Sequence, residues 1–217
     1  MSQAGRCGNF DPFASPTAMA LVMLVALAAG CAGCGMRVTA PSCVGQPVRV
    51  ILIDYGYHSS IVLSDESGKG REFAFGEYAW FAENHDGPLD VCRIALLPGS
   101  GTLGIRDYPA PLSIADVSAR TMFEAAYELN VERERALLLR QQLDERYRAA
   151  MCGGRAAIYN PVVDLHFVRV ERVYWWAHNC NHQLAEWLEA LGCEVDGCRV
   201  LAEFRILSSR PSSSAPP

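Results

Sequence analysis

The sequence predicts an α+β fold with an antiparallel sheet. Apolar, β-branched segments follow one another through the first half of the chain, and the clearest helical segments come later instead of alternating with them. Strands arranged in this way favour antiparallel pairing. The chain has 217 residues, of which 50% are hydrophobic, so it can bury the core of one domain.

Four strands are predicted in the first half of the chain. Residues 48–53 are mostly apolar and β-branched, and a second strand is predicted at 58–63, which begins on His58 and ends in Ile61-Val62-Leu63. The short segment Tyr55-Gly56-Tyr57 separates the two. Residues 72–75 and 91–97 are also mostly apolar, and each is followed by glycine or by Pro-Gly. The stretch from 101 to 111 is rich in glycine and proline and is predicted to be a loop.

The second half is predicted to hold a long helix and further extended segments. Asn130 is expected to cap a helix that ends at Ala150, after a stretch of partial helical periodicity at 113–129. Extended segments are predicted at 158–163, 165–176 and 195–207.

The last helix is predicted to begin in the segment His178-Asn179-Cys180-Asn181-His182. Asn179 is a favourable N-cap residue, and Gly192 is a typical residue after a helix end. Residues three or four apart form one apolar stripe of this helix, namely Cys180, Leu184, Leu188 and Leu191. We expect the antiparallel sheet to pack against this helix.

Cys180 is the candidate catalytic nucleophile. A thiol in the first turn of a helix lies at the positive end of the helix dipole, which favours the thiolate. A thiol nucleophile also needs a base, and His58, at the start of a predicted strand, is the candidate among five histidines. The alternative is that Cys180 packs in the core, as cysteines on apolar stripes usually do.

A metal site is the rival chemistry for the same segment. His178, Cys180 and His182 lie two residues apart, and His58 would be a further ligand. No second cysteine pair at zinc-finger spacing accompanies them. The sequence therefore favours a thiol site that uses no metal and no cofactor.

The N-terminus predicts export and a lipid anchor. Residues 18–30 are an uncharged apolar run that suits the core of a signal peptide and is short for a membrane span. Small residues precede Cys31, as at a bacterial lipoprotein processing site, so Cys31 is the expected lipid anchor. An uncleaved anchor or a mis-assigned start is the alternative. The expected organisation is a signal peptide at 1–30, a tether at 31–46, a domain at 47–207 and a disordered tail at 208–217.

The nine cysteines agree with an oxidising compartment. Cys193 and Cys198 flank a short turn and are the expected disulfide pair, whereas Cys92 and Cys152 are alternatively small buried apolar residues. The formal net charge of −5, with no basic stripe, argues against nucleic acid as a partner.

Three blocks of the sequence resemble an uncharacterised bacterial protein family. The blocks are GYHSSIVL at 56–63, FGE at 75–77, and NCNH at 179–182 with the apolar helix that follows. The corresponding family motifs are G-W-H-T-G-[IL]-V-L, E-F-G-W-G-D and T-C-N-T-W, the last followed by A-L-x-x-A-G. That family is similar to circularly permuted papain-like thiol hydrolases, which include NlpC-type cell-wall endopeptidases and lecithin:retinol acyltransferase-like enzymes.

The resemblance implies a circularly permuted papain-like domain with Cys180 as nucleophile and His58 as its base. The family's two acidic positions are Ala74 and Ala79 in this chain. Glu77 and Glu72 are therefore the alternatives for the group that orients His58, and each is alternatively a solvated carboxylate.

The expected function is that of a cell-envelope lipoprotein that faces the periplasm, at the outer membrane. Its thiol site would cleave or transfer an amide, peptide or acyl bond of peptidoglycan or a lipid. The alternative is a non-catalytic structural or binding lipoprotein of the same fold.

Overall fold

The computed structural model describes residues 35–56, 58–85, 87, 90, 93–94, 97–152, 156–175, 178–200 and 204–207. These residues fall within one compact unit, Gly35–Pro217. The predicted signal peptide, the anchor Cys31 and the predicted tail at 208–217 lie outside the described residues.

Within the described residues, seven strands form one antiparallel sheet. Its strands are β2 (Pro47–Asp54), β3 (Ser59–Ser64), β4 (Gly70–Glu77), β5 (Gly99–Tyr108), β6 (Ala125–Glu132), β7 (Ile158–Asn160) and β8 (Leu165–Tyr174). Their order across the sheet is β6-β2-β3-β4-β5-β8-β7, and every neighbouring pair is antiparallel. Together with the helices, this sheet confirms the predicted α+β class.

The described helices are α1 (Tyr78–Phe81), α2 (Ile114–Ser118), α3 (Arg133–Met151) and α4 (Cys180–Ala190). Helix α4 has the predicted ends: the Asn179 side chain accepts hydrogen bonds from two backbone N–H groups of the first turn, and Gly192 has a positive φ of 87°. A capping box at Ser113 and Asp116 starts α2. No helix in the described ranges has both the length and the apolar character to cross a bilayer.

The two faces of the sheet have different cores. We call the "helix face" the side that carries Ile61, Phe73 and Phe75, which pack with buried residues of α3 and α4. The "opposite face" carries Val62 and Ala74, which belong to two smaller apolar clusters. Side chains alternate between the two faces along each strand, so the position of a residue in its strand fixes which core it reaches.

Two segments differ from their predictions because their side-chain pattern was misleading. The predicted loop at 101–111 is largely strand β5, and its glycines lie where neighbours leave no room. A Cβ at Gly101 would come within 2.2 Å of the Arg172 carbonyl oxygen, and one at Gly104 within 2.4 Å of the Phe167 ring. The stretch at 113–129 holds the short helix α2, but it ends in β6, which begins at Ala125 and runs through Asn130, the predicted helix cap. Helix α3 therefore begins only at Arg133.

The predicted strands at 91–97 and 195–207 also differ. Only 93, 94 and 97 of the first are described, and 93 and 94 are helical. The second contains two short strands, β9 (Glu194–Asp196) and β10 (Phe204–Leu207).

The predicted tether contains a strand of the fold. Strand β1 (Met36–Thr39) pairs antiparallel with β9 and parallel with β10 to form a three-stranded sheet. Met36 and Val38 are buried in the same core as the helix face. The boundary of the domain therefore lies before Met36 and not at residue 47.

The expected disulfide between Cys193 and Cys198 is not formed in the structure, where both are free thiols. Cys193 is buried and Cys198 is partly buried. Cys152 is exposed, which contradicts the alternative that it is a core residue. Cys92 lies outside the described residues.

Replacing Met36 tests whether β1 belongs to the folded domain. The Met36 side chain is 1% exposed, so Met36→Ala should lower the free energy of unfolding by about 2–5 kcal/mol. Arg37→Ala, at the exposed position between the two buried ones, should change it by no more than about 0.5 kcal/mol. Urea unfolding followed by circular dichroism measures both, and equal, small effects would mean that the segment is a tether after all.

Candidate functional site

A buried carboxylate lies at the centre of the opposite face. Glu72 of β4 is 0% exposed. Its Oε1 accepts hydrogen bonds from the Tyr55 hydroxyl at 2.8 Å and the Ser60 hydroxyl at 2.6 Å. Its Oε2 accepts from Tyr108 Oη at 2.8 Å and from Nε and Nη2 of Arg106 at 3.0 and 2.6 Å. Glu72 is therefore a fully hydrogen-bonded structural group and not a solvated carboxylate.

Removing the charge of Glu72 should destabilise the protein strongly. Glu72→Gln leaves the buried guanidinium of Arg106 without its counter-ion, which should lower the free energy of unfolding by about 3–5 kcal/mol. Glu128→Gln removes an exposed partner of Arg49 and should cost less than about 1 kcal/mol. Chemical denaturation of the two variants measures the difference, and a Glu72→Gln variant as stable as Glu128→Gln would contradict the structural role.

His58 lies on the opposite face with Glu72. Its side chain is 5% exposed, and its ring packs against the rings of Phe81, at 4.6 Å between centroids, and Tyr55, at 6.2 Å. Neither ring nitrogen has a hydrogen-bond partner among the described residues. Burial lowers the pKa of His58 to about 4, although the charge of Glu72 acts to raise it. The imidazole is therefore neutral at physiological pH, and Glu72 does not orient it by a hydrogen bond.

The buried neutral His58 should make the fold sensitive to acid. Its pKa of about 4 in the folded state lies below the ordinary 6.5, so the unfolded chain binds the proton more readily. The contribution of His58 to the free energy of unfolding is therefore fully present above pH 6.5. It is lost as the pH falls towards 4, and the loss from this one group is about 3 kcal/mol.

The loss should disappear in His58→Phe and persist in His85→Gln, which changes an exposed histidine. The free energy of unfolding is measured between pH 7 and pH 4 for each variant and for the unmodified protein. The difference between the two curves gives the contribution of the replaced histidine to the pH dependence. A pH dependence that is unchanged in His58→Phe would show that the imidazole is not held neutral by burial.

Cys180 is the first residue of α4 and lies near the helix face. The thiol is 6% exposed. Burial is the largest effect on the Cys180 pKa and raises it to about 11. Hydrogen bonds from the Tyr174 hydroxyl and from the backbone N–H groups of Asn181 and Ser59 act in the other direction and lower the pKa. The first turn of the helix thus does supply donors to the sulfur, as expected, but desolvation is the larger effect. Cys180 is a thiol and not a thiolate in this state.

The structure does not join Cys180 and His58. The backbone of Ser59 donates to Cys180, so the start of β3 does lie beside the sulfur. The His58 ring, however, packs with Phe81, whose partly buried side chain belongs to the cluster that includes Ala74. Tyr174, which contacts Cys180, packs with Phe75 on the helix face. The imidazole and the thiol are therefore not hydrogen-bonded to each other, and their neighbouring rings belong to different apolar clusters.

Glu77 serves the fold and not His58. Its carboxylate accepts a hydrogen bond from the Trp80 N–H at 2.8 Å, which caps α1, and forms an ion pair with Arg93 at 3.2 Å. It lies two residues after Phe75 on β4, and its charge acts to raise the pKa of Tyr174, which contacts Cys180. Neither predicted acidic residue therefore hydrogen bonds to the predicted base.

His178 lies two residues before Cys180 and is separated from it by Asn179, the N-cap residue, which has an extended backbone. The His178 ring lies 5.8 Å from the Phe75 ring, and its Nε2 is buried without a hydrogen-bond partner among the described residues. Burial lowers the pKa of His178, and the positive charge of Arg172 lowers it further. The ring is therefore neutral near pH 7.

Sequence reasoning missed two contacts of Cys180, the Tyr174 hydroxyl and the Ser59 N–H. Tyr174 was visible only as one of several aromatic residues before the cysteine motif, and a backbone N–H leaves no trace in a sequence. Among the described residues, no group of three or more His, Cys, Asp or Glu side chains could hold a metal ion.

Comparison of the chain with protein-family models, curated proteins and solved structures finds no match in any of the three. The family resemblance of the three sequence blocks therefore stays a prediction. The chemistry of the site has to be argued from its own geometry.

Proposed function

We propose that this chain is a non-catalytic binding domain of the bacterial cell envelope, in which Cys180 is a packing residue. The observation that carries the proposal is that the Cys180 thiol and the His58 imidazole are both buried and are not hydrogen-bonded to each other. The envelope location rests on the lipoprotein-like N-terminal sequence.

The protonation of the thiol supports a packing role. With a pKa of about 11, roughly one Cys180 in ten thousand is a thiolate at pH 7. Only the thiolate is a good nucleophile, and the side chain is also 6% exposed, so a substrate carbonyl has little access to it. A catalytic cysteine usually lies in an environment that lowers its pKa and leaves it partly exposed.

The protonation of His58 supports the same conclusion. A general base works best when its pKa lies near the operating pH, and the pKa of His58 is about 4. Its ring nitrogens also have no hydrogen-bond partner to fix their orientation within the described residues. His58 therefore lacks both the basicity and the positioning of a catalytic histidine.

A thiol hydrolase or acyltransferase with a circularly permuted papain-like fold is the second candidate. One observation favours it: backbone N–H groups and the Tyr174 hydroxyl donate hydrogen bonds to the Cys180 sulfur, and these bonds favour the thiolate. In this candidate His178 takes the thiol proton, the sulfur attacks the carbonyl carbon, and the leaving group takes the proton back. Water then hydrolyses the thioester, and the covered thiol has to become exposed first.

The rate of alkylation of Cys180 distinguishes the two candidates. A thiol with a pKa of about 11 should react with iodoacetamide at pH 7.4 at least about 100-fold more slowly than an ordinary exposed thiol, because its thiolate fraction is lower by that factor. Cys43 is exposed on the same chain and provides the internal reference. Mass spectrometry of the tryptic peptides follows both residues in one sample.

Two variants define which result supports which candidate. If Cys180 reacts as fast as Cys43 and His178→Ala slows the reaction, the hydrolase is correct and the binding proposal fails. If His58→Ala slows it instead, the assignment of His58 to the opposite face is wrong. Slow alkylation that neither variant changes is the result expected for a packing residue.

A further inference from the structure

We propose that a cleft between α3 and β8 binds an oxyanion, a carboxylate or a phosphate group, through Arg146 and Arg172. The cleft has a volume of about 440 Å³ and is lined by Arg146, Ala149 and Ala150 of α3 and by residues 169–172 of β8. The inference rests on the proposed binding function and gives it a ligand class.

The two arginines have unequal partners. Arg172 forms an ion pair with Glu186 of α4 at 2.6 Å. Arg146 has no carboxylate within 4.0 Å among the described residues, and its nearest polar contact is a long one, 3.5 Å, to the Gln183 amide oxygen. Gln183 in turn donates to Glu186 at 3.0 Å. The guanidinium groups of Arg172 and Arg146 thus both lie near the carboxylate of Glu186, but only Arg172 forms an ion pair with it. The positive charge of Arg146 is left unpaired.

The remaining charges of the cleft do not neutralise Arg146. Burial lowers the pKa of Arg146 most, and repulsion from Arg172 lowers it further. The attraction of Glu186 raises the pKa, but this effect is smaller than either of the other two. Arg169 also lines the cleft, and its guanidinium lies over the Tyr78 ring, with Cζ 4.2 Å from the ring centroid. Among the described residues that line the cleft, Glu171 is the one acidic residue, and its side chain is exposed to solvent.

The chemistry of the cleft suits an oxyanion. A guanidinium presents a planar set of donors that matches the two oxygens of a carboxylate or phosphate. Arg146 is half-buried, so its interaction with an anion is screened less than it would be on an open surface. Buried Val170 and the small side chains Ala149 and Ala150 give the cleft apolar walls, and its volume is that of a small-molecule site.

The test is a binding titration of the folded protein with defined probes. Inorganic phosphate and acetate are added separately at constant ionic strength, with chloride as the reference, and the arginine Nε–Hε resonances are followed by ¹⁵N NMR. Arg146→Gln removes the unpaired charge. Arg148→Gln is the matched control, because Arg148 lies on the same helix, is exposed and does not line the cleft.

We expect saturable binding of at least one probe, weakened about tenfold or more in Arg146→Gln and unchanged in Arg148→Gln. Equal weakening in the two variants, or shifts that do not saturate, would overturn the site. Vesicles of phosphatidylglycerol and phosphatidylcholine distinguish the sources of the anion. If the protein sediments with the vesicles and Arg146→Gln abolishes the sedimentation, the anion is a lipid headgroup. If the protein does not sediment with the vesicles but binds phosphate or acetate saturably, the ligand is soluble.

The outcome is independent of the alkylation of Cys180. A reactive Cys180 together with Arg146-dependent anion binding would overturn the non-catalytic role and keep the cleft as a substrate subsite. An inert Cys180 with no Arg146-dependent binding would overturn the cleft and leave the packing role of the thiol intact.

Discussion

The ion pair between Glu72 and Arg106 is the interaction on which the rest of the sheet depends. The groups that satisfy this carboxylate come from the two strands that flank β4 and from the turn before β3: Tyr55, Ser60 of β3, and Arg106 and Tyr108 of β5. A buried ion pair is tolerated only when the remaining hydrogen-bonding capacity is also satisfied. The network therefore favours one register of β3, β4 and β5 over any other.

That register decides where His58 lies. Ser60 pairs with Ala74 across β3 and β4, and its hydroxyl reaches Glu72 on the opposite face. A slip of one residue would move His58 towards the helix face, but it would also move Ser60 away from Glu72, because side chains alternate along a strand. The hydrogen-bond network thus favours the register in which His58 lies on the same face as Glu72. The same residues that stabilise the sheet position the predicted base, which has no hydrogen bond to Cys180.

The sequence allowed the existence of several elements to be predicted but not the faces that their side chains occupy. Helix α4 was recognisable from Asn179, the leucine stripe and Gly192, and these features do not depend on distant residues. In β3 the first five residues, 59–63, are all buried, so no contrast between polar and apolar positions reveals which ones meet α4.

Glu72 was open to interpretation as a solvated carboxylate because an acidic residue is seldom buried without a partner, and its partner Arg106 lies 34 residues away. Strand β5 was missed for a related reason, since its glycines are explained only by Phe167 and Arg172 of the neighbouring strand.

The contrast between Arg106 and Arg146 explains why one arginine belongs to the fold and the other to a proposed ligand site. The Arg106 side chain is 2% exposed, and a charge at that depth has to be neutralised within the protein before the chain can fold. Arg146 is half-buried and in contact with a cleft, so water can solvate it in the absence of an anion. A partly solvated cation costs less to leave unpaired, and it retains attraction for an incoming oxyanion that a fully neutralised one has already lost. The unpaired charge of Arg146 is therefore compatible with a stable fold and available for binding.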